Sequence, residues 1–517
     1  MALALESNVT SAVNVTPTLQ AKGAKLKKVA NAFAPIIAVD RKLPQPLHRQ
    51  IYDAFRQAIL GGKLQPGQQV PSTRALACEL AVSRLPLLAA YAQLSDEGYF
   101  ESRPGAGTYV SFSLPEQLSS CDHRGACVKQ RSGSRLVSNR SALLPKFRPA
   151  PWMFGWGAFG VGQLAVDHFP FRIWSSLVNR HCRKMSIRAL HFSDPMGSLE
   201  LRKTIASYLK TARAVTCEPE QILVVTGSQQ ALEISASVLL DPGDKVWVEE
   251  PGYRMVWQVV RTAGCQLVPV PVDDEGLNVA AGIERCRLAR AAYITPSHQF
   301  PLGVTMSVSR RLQLLEWAQR SGSWIIEDDY DSEYRYQGQA IASLQGLDGY
   351  SRVIYIGTFS TTVFPSLRLG YIVVPLDLVD RFVAVRHTMD VYPPHLYQAV
   401  LTDFIGEGHF ARHIRRTRTL YRERRDALVR ALRDEFTTES SIEGAEAGLH
   451  LVLRLPQQVD DRQLAERAAE QKLWLWPLSP CYLEKNPQQG LILGFGSTPP
   501  SEIPKAARRV RDLLNRN

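Results

Sequence analysis

Residues 356–371 read Ile356-Gly357-Thr358-Phe359-Ser360-Thr361-Thr362-Val363-Phe364-Pro365-Ser366-Leu367-Arg368-Leu369-Gly370-Tyr371. This stretch continues the apolar run Val353-Ile354-Tyr355-Ile356, which predicts a buried strand, and it leads through a hydroxyl-rich turn into a second apolar run. Hydroxyl groups in a turn followed by one arginine are typical of a phosphate site, because a planar guanidinium can bind two anionic oxygens at once. Turns of this composition also occur where nothing binds, so the rest of the chain must support that interpretation.

The overall composition indicates a globular protein with more than one core. The chain has 517 residues, of which 45% are hydrophobic and 21% are charged, and no apolar run is long enough to predict a membrane span. The net charge of +12 favours a polyanionic partner, although a basic surface can also be merely solvated. Eight scattered cysteines without a C-x-x-C pair predict neither a zinc site nor a disulfide framework, and they favour a cytoplasmic location, nucleoid-associated when the chain is on DNA.

The distribution of residue types divides the chain into four segments. Residues 1–43 have little periodicity and predict a flexible N-terminal arm, although their acid-poor composition also fits a transit peptide. Residues 44–112 and 151–517 have regular apolar patterns and predict two folded domains. Residues 113–150 are rich in Ser, Arg, Lys, Pro and Gly and predict a linker, a solvated tether whose charge could also help to hold DNA.

The first folded segment has the pattern of a winged helix-turn-helix. The predicted elements are helices over 47–60, from Ser72 or Thr73 to Leu80, and after Ser83, followed by strands over 98–103 and 107–111. In such a module the third helix lies in the major groove of DNA and the hairpin forms a wing. A small helical domain for protein contacts is the alternative.

The same segment resembles the GntR family of bacterial regulators. The matching stretches include Pro66-Gly67, Pro71-Ser72-Thr73-Arg74-Ala75-Leu76-Ala77, Val82-Ser83-Arg84, Glu97-Gly98-Tyr99 and Arg103-Pro104-Gly105-Ala106-Gly107-Thr108-Tyr109-Val110. The resemblance implies double-stranded operator DNA as a partner, contacted by Arg74, Ser83, Arg84, Arg103 and Gly105. The chain departs from the family at Leu85-Pro86, where relatives carry a small polar pair, so the family's base preference does not carry over.

From Trp152 onward, helical patterns alternate with short β-rich runs. The predicted strands cover 222–225, 245–248, 266–269, 292–294, 324–327, 353–356 and 369–374. This alternation predicts an α/β domain with a mostly parallel sheet, in which ligands bind at the carboxyl ends of the strands.

Three further motifs lie at predicted strand ends. Thr226-Gly227-Ser228-Gln229-Gln230 opens a helix, whose free N–H groups are suited to a phosphate. Glu250-Pro251-Gly252-Tyr253 places an aromatic ring on a turn, and the polar run Glu327 to Glu333 offers a carboxylate for a protonated ring nitrogen and a tyrosine for a ring oxygen. The alternatives are a capped helix without a ligand, a core tyrosine, and an acidic metal site, for which no histidine lies nearby in the sequence.

Together these motifs describe a pocket for pyridoxal phosphate. Residues 44–510 resemble the MocR-type regulators, which fuse a GntR domain to a fold type I aminotransferase-like domain; supporting matches include Asp241-Pro242-Gly243-Asp244, Thr295-Pro296-Ser297-His298-Gln299-Phe300-Pro301-Leu302-Gly303 and Ala447-Gly448-Leu449-His450. The resemblance implies a phosphate site of Ser228, Gln229, Thr358, Ser360 and Arg368. It further implies that Asp328 faces the ring nitrogen, Tyr330 the ring oxygen, and Tyr253 the ring or the substrate.

Position 361 is the main departure from the family pattern. The residue after Gly357-Thr358-Phe359-Ser360 is, in the family, the lysine that forms a Schiff base with pyridoxal phosphate, and here it is Thr361. No lysine lies between Lys245 and Lys472, and a hydroxyl group cannot replace the amine. We therefore predict no catalytic residue and no metal. Pyridoxal phosphate, if it binds, is expected to bind non-covalently, or to arrive as an amine or an external aldimine.

Two further features affect the interpretation. The late stretch Gly490 to Phe495 lacks the arginine that commonly binds a substrate carboxylate in aminotransferases. The run Arg412 to Arg425 contains seven arginines and could extend a DNA-binding surface, or simply be an exposed helix.

The sequence therefore predicts a transcription regulator that senses a small-molecule effector and works as a homodimer without membrane association. The alternatives are a pyridoxal phosphate-dependent aminotransferase with an appended DNA-binding module, and a DNA-binding protein whose large domain is only a dimer scaffold.

Overall fold

The computed structural model describes residues 39–113, 138–142, 144, 148–191, 193–336, 341–436 and 440–515. The chain separates into two compact units, divided between Arg135 and Leu136. Most of the predicted arm and most of the predicted linker lie outside the described residues, so both stay predictions.

The first unit is a winged helix-turn-helix, as predicted. Its helices are α1 (Leu47–Leu60), α2 (Thr73–Glu79) and α3 (Arg84–Asp96), and its strands are β1 (Gln69–Val70), β2 (Phe100–Arg103) and β3 (Gly107–Val110). Ser72 caps α2, since its hydroxyl accepts a hydrogen bond from the N–H of Ala75 at 3.2 Å. The sequence pattern missed β1, a two-residue strand that pairs antiparallel with β3.

An aromatic cluster holds α3 in place within this unit. The rings of Phe55, Tyr91 and Phe100 pack edge to face with centroids 5.2–5.4 Å apart, which joins α1, α3 and the hairpin. The hydroxyl of Tyr91 also donates to the carbonyl oxygen of Pro71 at 2.7 Å. These contacts set the orientation of α3 and therefore which of its faces meets the solvent.

The second unit is an α/β domain followed by a smaller antiparallel sheet. Its helices are α4 (Asn139–Ala142), α5 (Phe171–Arg183), α6 (Leu199–Arg213), α7 (Ser228–Leu239), α8 (Arg254–Thr262), α9 (Val279–Cys286), α10 (Val308–Ser321), α11 (Leu344–Leu347), α12 (Val379–Asp390), α13 (His395–Gly406), α14 (His409–Glu435), α15 (Asp461–Glu470) and α16 (Ile503–Leu514). Its strands are β4 (Ile222–Val225), β5 (Lys245–Glu250), β6 (Gln266–Asp273), β7 (Gly276–Leu277), β8 (Ala291–Ile294), β9 (Trp324–Asp329), β10 (Val353–Thr358), β11 (Gly370–Val373), β12 (Ile442–Glu443), β13 (His450–Arg454), β14 (Trp476–Pro477) and β15 (Gly490–Gly494).

The large sheet has the strand order β4-β11-β10-β9-β8-β5-β6-β7 and is mostly parallel, as predicted. The strand β11 runs antiparallel to both of its neighbours, and β7 runs antiparallel to β6. Buried apolar residues cover both faces of the sheet, which is why its inner strands read as continuous apolar runs rather than alternating ones. The strands β12, β13, β15 and β14 form the separate antiparallel sheet.

Several strands extend further than the apolar pattern predicts. Strand β5 continues to Glu250, β9 to Asp329 and β10 to Thr358, two residues beyond each predicted end. The added polar side chains are hydrogen-bonded in the interior; for example, Asp329 accepts from Arg213 at 2.7 Å. Burying a polar side chain costs much less free energy when it is hydrogen-bonded than when it is not. The strand pairing can therefore continue into these polar residues.

The arginine run of α14 is only partly exposed, which corrects the expectation of an exposed helix. Arg424 and Arg425 are buried, and the guanidinium of Arg418 donates to the carbonyl oxygen of Glu333 at 2.8 Å. The exposed members are Arg412, Arg415, Arg416 and Arg422. Among the described residues, no helix has both the length and the apolar character that crossing a membrane requires.

Candidate functional site

The order of the strands brings three of the predicted motifs to one edge of the large sheet. In β9 and β10, Asp328 pairs with Ile356, so the turn that begins at Thr358 lies beside the segment that follows β9. Thr358 in turn pairs with Gly370 of β11, which pairs with Val225 at the end of β4. The helix start after β4, the hydroxyl-rich turn and the acidic segment are therefore neighbours in space.

Two chain segments approach each other closely where a phosphate site is predicted. Gly227 has φ +103°, and a Cβ atom at this position would lie 2.8 Å from Nη2 of Arg368. Arg368, itself in the left-handed region at φ +51°, donates to the carbonyl oxygen of Thr226 at 2.6 Å. Ser228 and Gln229 occupy the first turn of α7, which has no side-chain cap. Helix N–H groups and a guanidinium packed against a glycine suit an anion.

The hydroxyl-rich turn adds a group that lacks a partner. The backbone N–H of Ser360 donates to Oγ1 of Thr358 at 3.1 Å. The Oγ atom of Ser360 is buried and has no hydrogen-bond partner among the described residues. Buried hydroxyls are nearly always paired, so this atom fits a ligand oxygen such as that of a phosphate.

Asp328 is the buried carboxylate of the site. One oxygen, Oδ2, accepts from the hydroxyl of Tyr293 at 2.9 Å, and the other, Oδ1, has no partner among the described residues. The pKa of Asp328 is raised to about 7, mainly by burial and also by the nearby charge of Asp329, while the hydrogen bond from Tyr293 opposes the shift. A protonated ring nitrogen would supply both the missing hydrogen bond and a neutralising charge. The residues present therefore fit the ring of pyridoxal phosphate.

The charges of both Asp328 and Arg368 affect the phenol of Tyr253. The pKa of its phenol is raised to about 12, mainly by burial and also by the negative charge of Asp328, while the positive charge of Arg368 opposes the shift. Its ring packs edge to face against Phe300 at 5.7 Å between centroids. An aromatic ring therefore lies near both Asp328 and Arg368.

The hydroxyl of Tyr330 is engaged within the protein. It donates to the carbonyl oxygen of His298 at 2.7 Å and lies 3.2 Å from Nδ1 of the same residue. Its proton is therefore directed to the chain in this structure, while its oxygen keeps a free lone pair. The role of Tyr330 toward a ring oxygen stays a prediction.

No histidine lies near the acidic segment in the sequence, but His298 and His450 lie beside it in the structure. Nδ1 of His298 lies 3.0 Å from Oδ2 of Asp331, and the rings of His298 and His450 are 4.6 Å apart. All three side chains are buried, and their donor atoms could in principle surround an ion. However, Nε2 of His298 faces Gly303, where even an added Cβ atom would be 2.9 Å away. This cluster serves better as a support for Tyr330.

Thr361 also bonds to the acidic segment rather than standing free. Its hydroxyl donates to the carbonyl oxygen of Tyr330, and its own carbonyl accepts from the hydroxyl of Tyr334 at 3.3 Å. The side chain at this position therefore ties the turn after β10 to the segment after β9.

Sequence reasoning missed the residues that orient this site. Tyr293, His298 and Phe300 support Asp328, Tyr330 and Tyr253 respectively, although each lies about 30 residues or more from its partner. The local signals were a tyrosine within the otherwise aliphatic strand Ala291–Ile294 and the family match over 295–303, which contains His298 and Phe300 but did not indicate their roles.

A cavity of about 1040 Å³ lies next to the acidic segment but contains none of the predicted cofactor residues. Its lining includes Tyr208, Ser332, Glu333, Arg335 and Arg418. Burial raises the pKa of Glu333 to about 7, and its carboxylate accepts from the hydroxyl of Tyr208 at 2.6 Å.

The predicted DNA-contacting residues are all exposed on the first unit. Ser83 stands at the N-cap of α3 without a side-chain capping bond, and the guanidinium of Arg84 donates to Oγ1 of Thr73 at 3.1 Å. The guanidinium of Arg103 lies 4.7 Å from the centre of the Tyr109 ring, and Gly105 has φ +77° at the tip of the hairpin. Arg74 lies on α2. The contacts of these five residues with DNA stay predictions.

Comparison with known proteins identifies both units. Residues 47–110 match the family of bacterial regulatory proteins described as the gntR family, and residues 159–510 match aminotransferase class I and II. A probable rhizopine catabolism regulatory protein, MocR, from Rhizobium meliloti is 40% identical over 93% of this chain and 96% of its own length. The pyridoxine biosynthesis transcriptional regulator PdxR from Corynebacterium glutamicum is 30% identical over 89% of this chain and 94% of its own length.

Solved structures resemble the second unit. A kynurenine aminotransferase from Pyrococcus horikoshii has a TM-score of 0.68 and 26% identity, covering 74% of this chain and 97% of that one. The α-aminoadipate aminotransferase LysN from Thermus thermophilus has a TM-score of 0.65 and 29% identity, covering 69% and 91%. With a GntR-type winged helix, an aminotransferase-type domain and MocR as a relative along nearly its whole length, this chain belongs to the MocR-type regulators of the GntR family.

Proposed function

We propose that this chain regulates transcription by binding operator DNA through its first unit and a pyridoxal phosphate-like compound or an amino compound through its second unit. One observation supports ligand binding by the second unit most strongly. Two buried atoms, Oδ1 of Asp328 and Oγ of Ser360, have no hydrogen-bond partner among the described residues, and they lie in a site with a phosphate-type glycine turn. The relatives named as transcriptional regulators support the first half. The proposed units are an arm at 1–43, a DNA-binding domain at 44–112, a linker at 113–150 and a sensor domain at 151–517.

The ligand of the second unit is held without a covalent bond. Pyridoxal phosphate supplies an electron-withdrawing ring when it is bound to an enzyme, but the chain has no lysine between Lys245 and Lys472 to anchor its aldehyde. Asp328 would pair with the ring nitrogen, and Arg368 with Ser360 would bind the phosphate. Because no lysine is available to form an aldimine, a pyridoxal-type ligand that already carries an amine suits the site. Among the structural relatives, the Pyrococcus enzyme was crystallised with PMP and LysN with N-(5'-phosphopyridoxyl)-L-leucine.

The protein acts as a homodimer in this proposal, because two operator half-sites require two winged helices. Effector binding and DNA binding must then change each other's affinity by the same factor. Transaminase activity is not part of the proposal, since Thr361 has no amine that could take up and release a proton at the reacting carbon.

The test compares wild type with Thr361→Lys after incubation with pyridoxal phosphate and dialysis. We expect wild type to stay colourless and Thr361→Lys to hold a yellow chromophore. Thr361→Arg is the matched control, because it adds a similar length and charge but cannot form the bond, and it should stay colourless. In parallel, pyridoxamine phosphate should raise the melting temperature of wild type.

Each outcome is informative. If neither Thr361→Lys nor wild type retains or responds to these compounds, the proposed cofactor-like site is wrong. If wild type holds a stable chromophore and converts an amino donor and a keto acceptor, the protein is an aminotransferase with an appended DNA-binding module. If no small molecule changes the melting temperature, the second unit is a scaffold only.

A further inference from the structure

Helix α3 is apolar on its exposed face as well as on its buried face. The buried residues are Leu87, Ala90, Tyr91 and Leu94. The exposed residues are Leu85, Leu88, Ala89 and Ala92, and their spacing of three and four places them on one side of the helix. Leu85 is 75% exposed and Leu88 is 43% exposed. We call these four residues the leucine face.

A helix on a protein surface normally carries polar residues on its outer side. The first two turns of α3 offer few polar groups there. Pro86 has no N–H to donate, and the guanidinium of Arg84 already donates to Thr73. Further along, the amide of Gln93 donates to Glu97 at 2.8 Å. An apolar surface in this position is therefore expected to be covered by a binding partner.

The position of the leucine face determines which partner covers it. The N-terminal residues of the second helix in a helix-turn-helix face the base edges in the major groove. The only apolar group that a base edge presents there is the 5-methyl group of thymine. Arg74, Arg84 and Arg103 are exposed on the same unit, and they favour an anionic duplex over another protein.

We propose that Leu85, together with Leu88, reads thymine methyl groups in the operator half-site. The arginines then place the helix on the duplex, and methyl contacts add a preference for thymine at the positions that Leu85 and Leu88 reach. This inference rests on the proposed binding of operator DNA.

The experiment begins with duplexes selected by the full-length protein from a randomised pool. Each thymine of the enriched site is then replaced by deoxyuridine, which removes one methyl group and changes no hydrogen-bonding group. At the thymines that Leu85 and Leu88 contact, we expect affinity to fall roughly fourfold for each buried methyl that is lost. In place of such a thymine, 5-methylcytosine should bind better than cytosine, because it restores the methyl group.

Variants assign the effect to the leucine face. Leu85→Ala should weaken binding to the thymine duplex and bring the ratio between thymine and deoxyuridine duplexes close to one. Leu60→Ala is the matched control, because Leu60 is 44% exposed but lies at the end of α1. This control should keep the ratio of wild type.

Several results would overturn the inference. It fails if the enriched site contains no thymine, if no sequence is enriched, or if deoxyuridine binds as well as thymine at every position. It also fails if Leu85→Ala keeps the thymine preference, or if its main effect is to change the size of the protein in solution, which would show that protein covers the face. If the wild-type protein binds no DNA duplex at all, the proposed function itself is refuted.

Discussion

Replacing Asp328 with Asn should stabilise the ligand-free protein, and the gain should grow with pH. The carboxyl is buried, and its pKa is raised from the ordinary value of 3.8 to about 7. Between about pH 4 and pH 7, therefore, the carboxyl of Asp328 is protonated in the folded chain but already ionised in the unfolded chain. Because the folded state binds the proton more tightly, the wild-type stability falls as the pH rises through this window.

The two pKa values set the size of the effect. Each pH unit between them corresponds to about 1.4 kcal/mol, so the full cost of the ionised carboxylate above pH 7 is about 4 kcal/mol. About 2–3 kcal/mol of this cost accumulates between pH 5 and pH 8. Asparagine has no charge to bury and still accepts the hydrogen bond from Tyr293. The difference in unfolding free energy between Asp328→Asn and wild type should therefore shift by about 2–3 kcal/mol in favour of the variant over that range.

Urea unfolding at pH 5 and pH 8, followed by tryptophan fluorescence, measures this difference. Comparing the two pH values removes any constant effect of the substitution on packing. Asp377→Asn, which changes an exposed carboxylate, should show the same difference at both pH values. A pH-independent difference for Asp328→Asn would refute the account of Asp328 as a buried carboxylate awaiting a cationic partner. Saturating pyridoxamine phosphate should reduce the advantage of the variant.

Three further predictions follow from the same contacts. Tyr293→Phe removes the hydrogen bond to Asp328, so it should destabilise the protein by about 1–3 kcal/mol in urea at pH 8 and by less at pH 5; an equal loss at both would contradict the pairing. Gly227→Ala forces a side chain into the left-handed region beside Arg368, and should cost about 1–3 kcal/mol and abolish the thermal shift by pyridoxamine phosphate, whereas a retained shift would argue against the phosphate site. Arg84→Ala should weaken operator binding by roughly 1–3 kcal/mol in fluorescence anisotropy, and unchanged affinity would remove its role in reading DNA.

Local patterns predicted most of the architecture. The spacing of Ile51, Phe55 and Ile59 predicts α1, and the buried run Ile222 to Val225 is observed as β4. The ends of strands were less predictable. Apolar content falls at Glu249 and Asp328, yet both strands continue, because distant residues donate hydrogen bonds to Glu249 and to one oxygen of Asp328.

The candidate site was predictable as a set of motifs but not as a geometry. The phosphate turn and the acidic segment are visible as short motifs, because helix starts and strand ends leave local marks. The sequence did not show that the hydroxyl of Tyr330 is bonded to His298, or that two histidines lie beside Asp331. The same limit applies to α14, where arginines of identical chemistry are buried at 424 and 425 and exposed at 415 and 416.

The sequence by itself determined the family, the two kinds of domain and the absence of a lysine from 246 to 471, because each depends on residue identity or on periods of two and 3.6 residues. Only the tertiary structure decided that Arg368 closes on Thr226, that Tyr293 supports Asp328, and that the outer side of α3 is apolar. For Arg368 and Thr226 the reason is that the sheet places β4 beside β11, two strands that are far apart in the chain. Partners 142 residues apart meet through that order, and no local period encodes it.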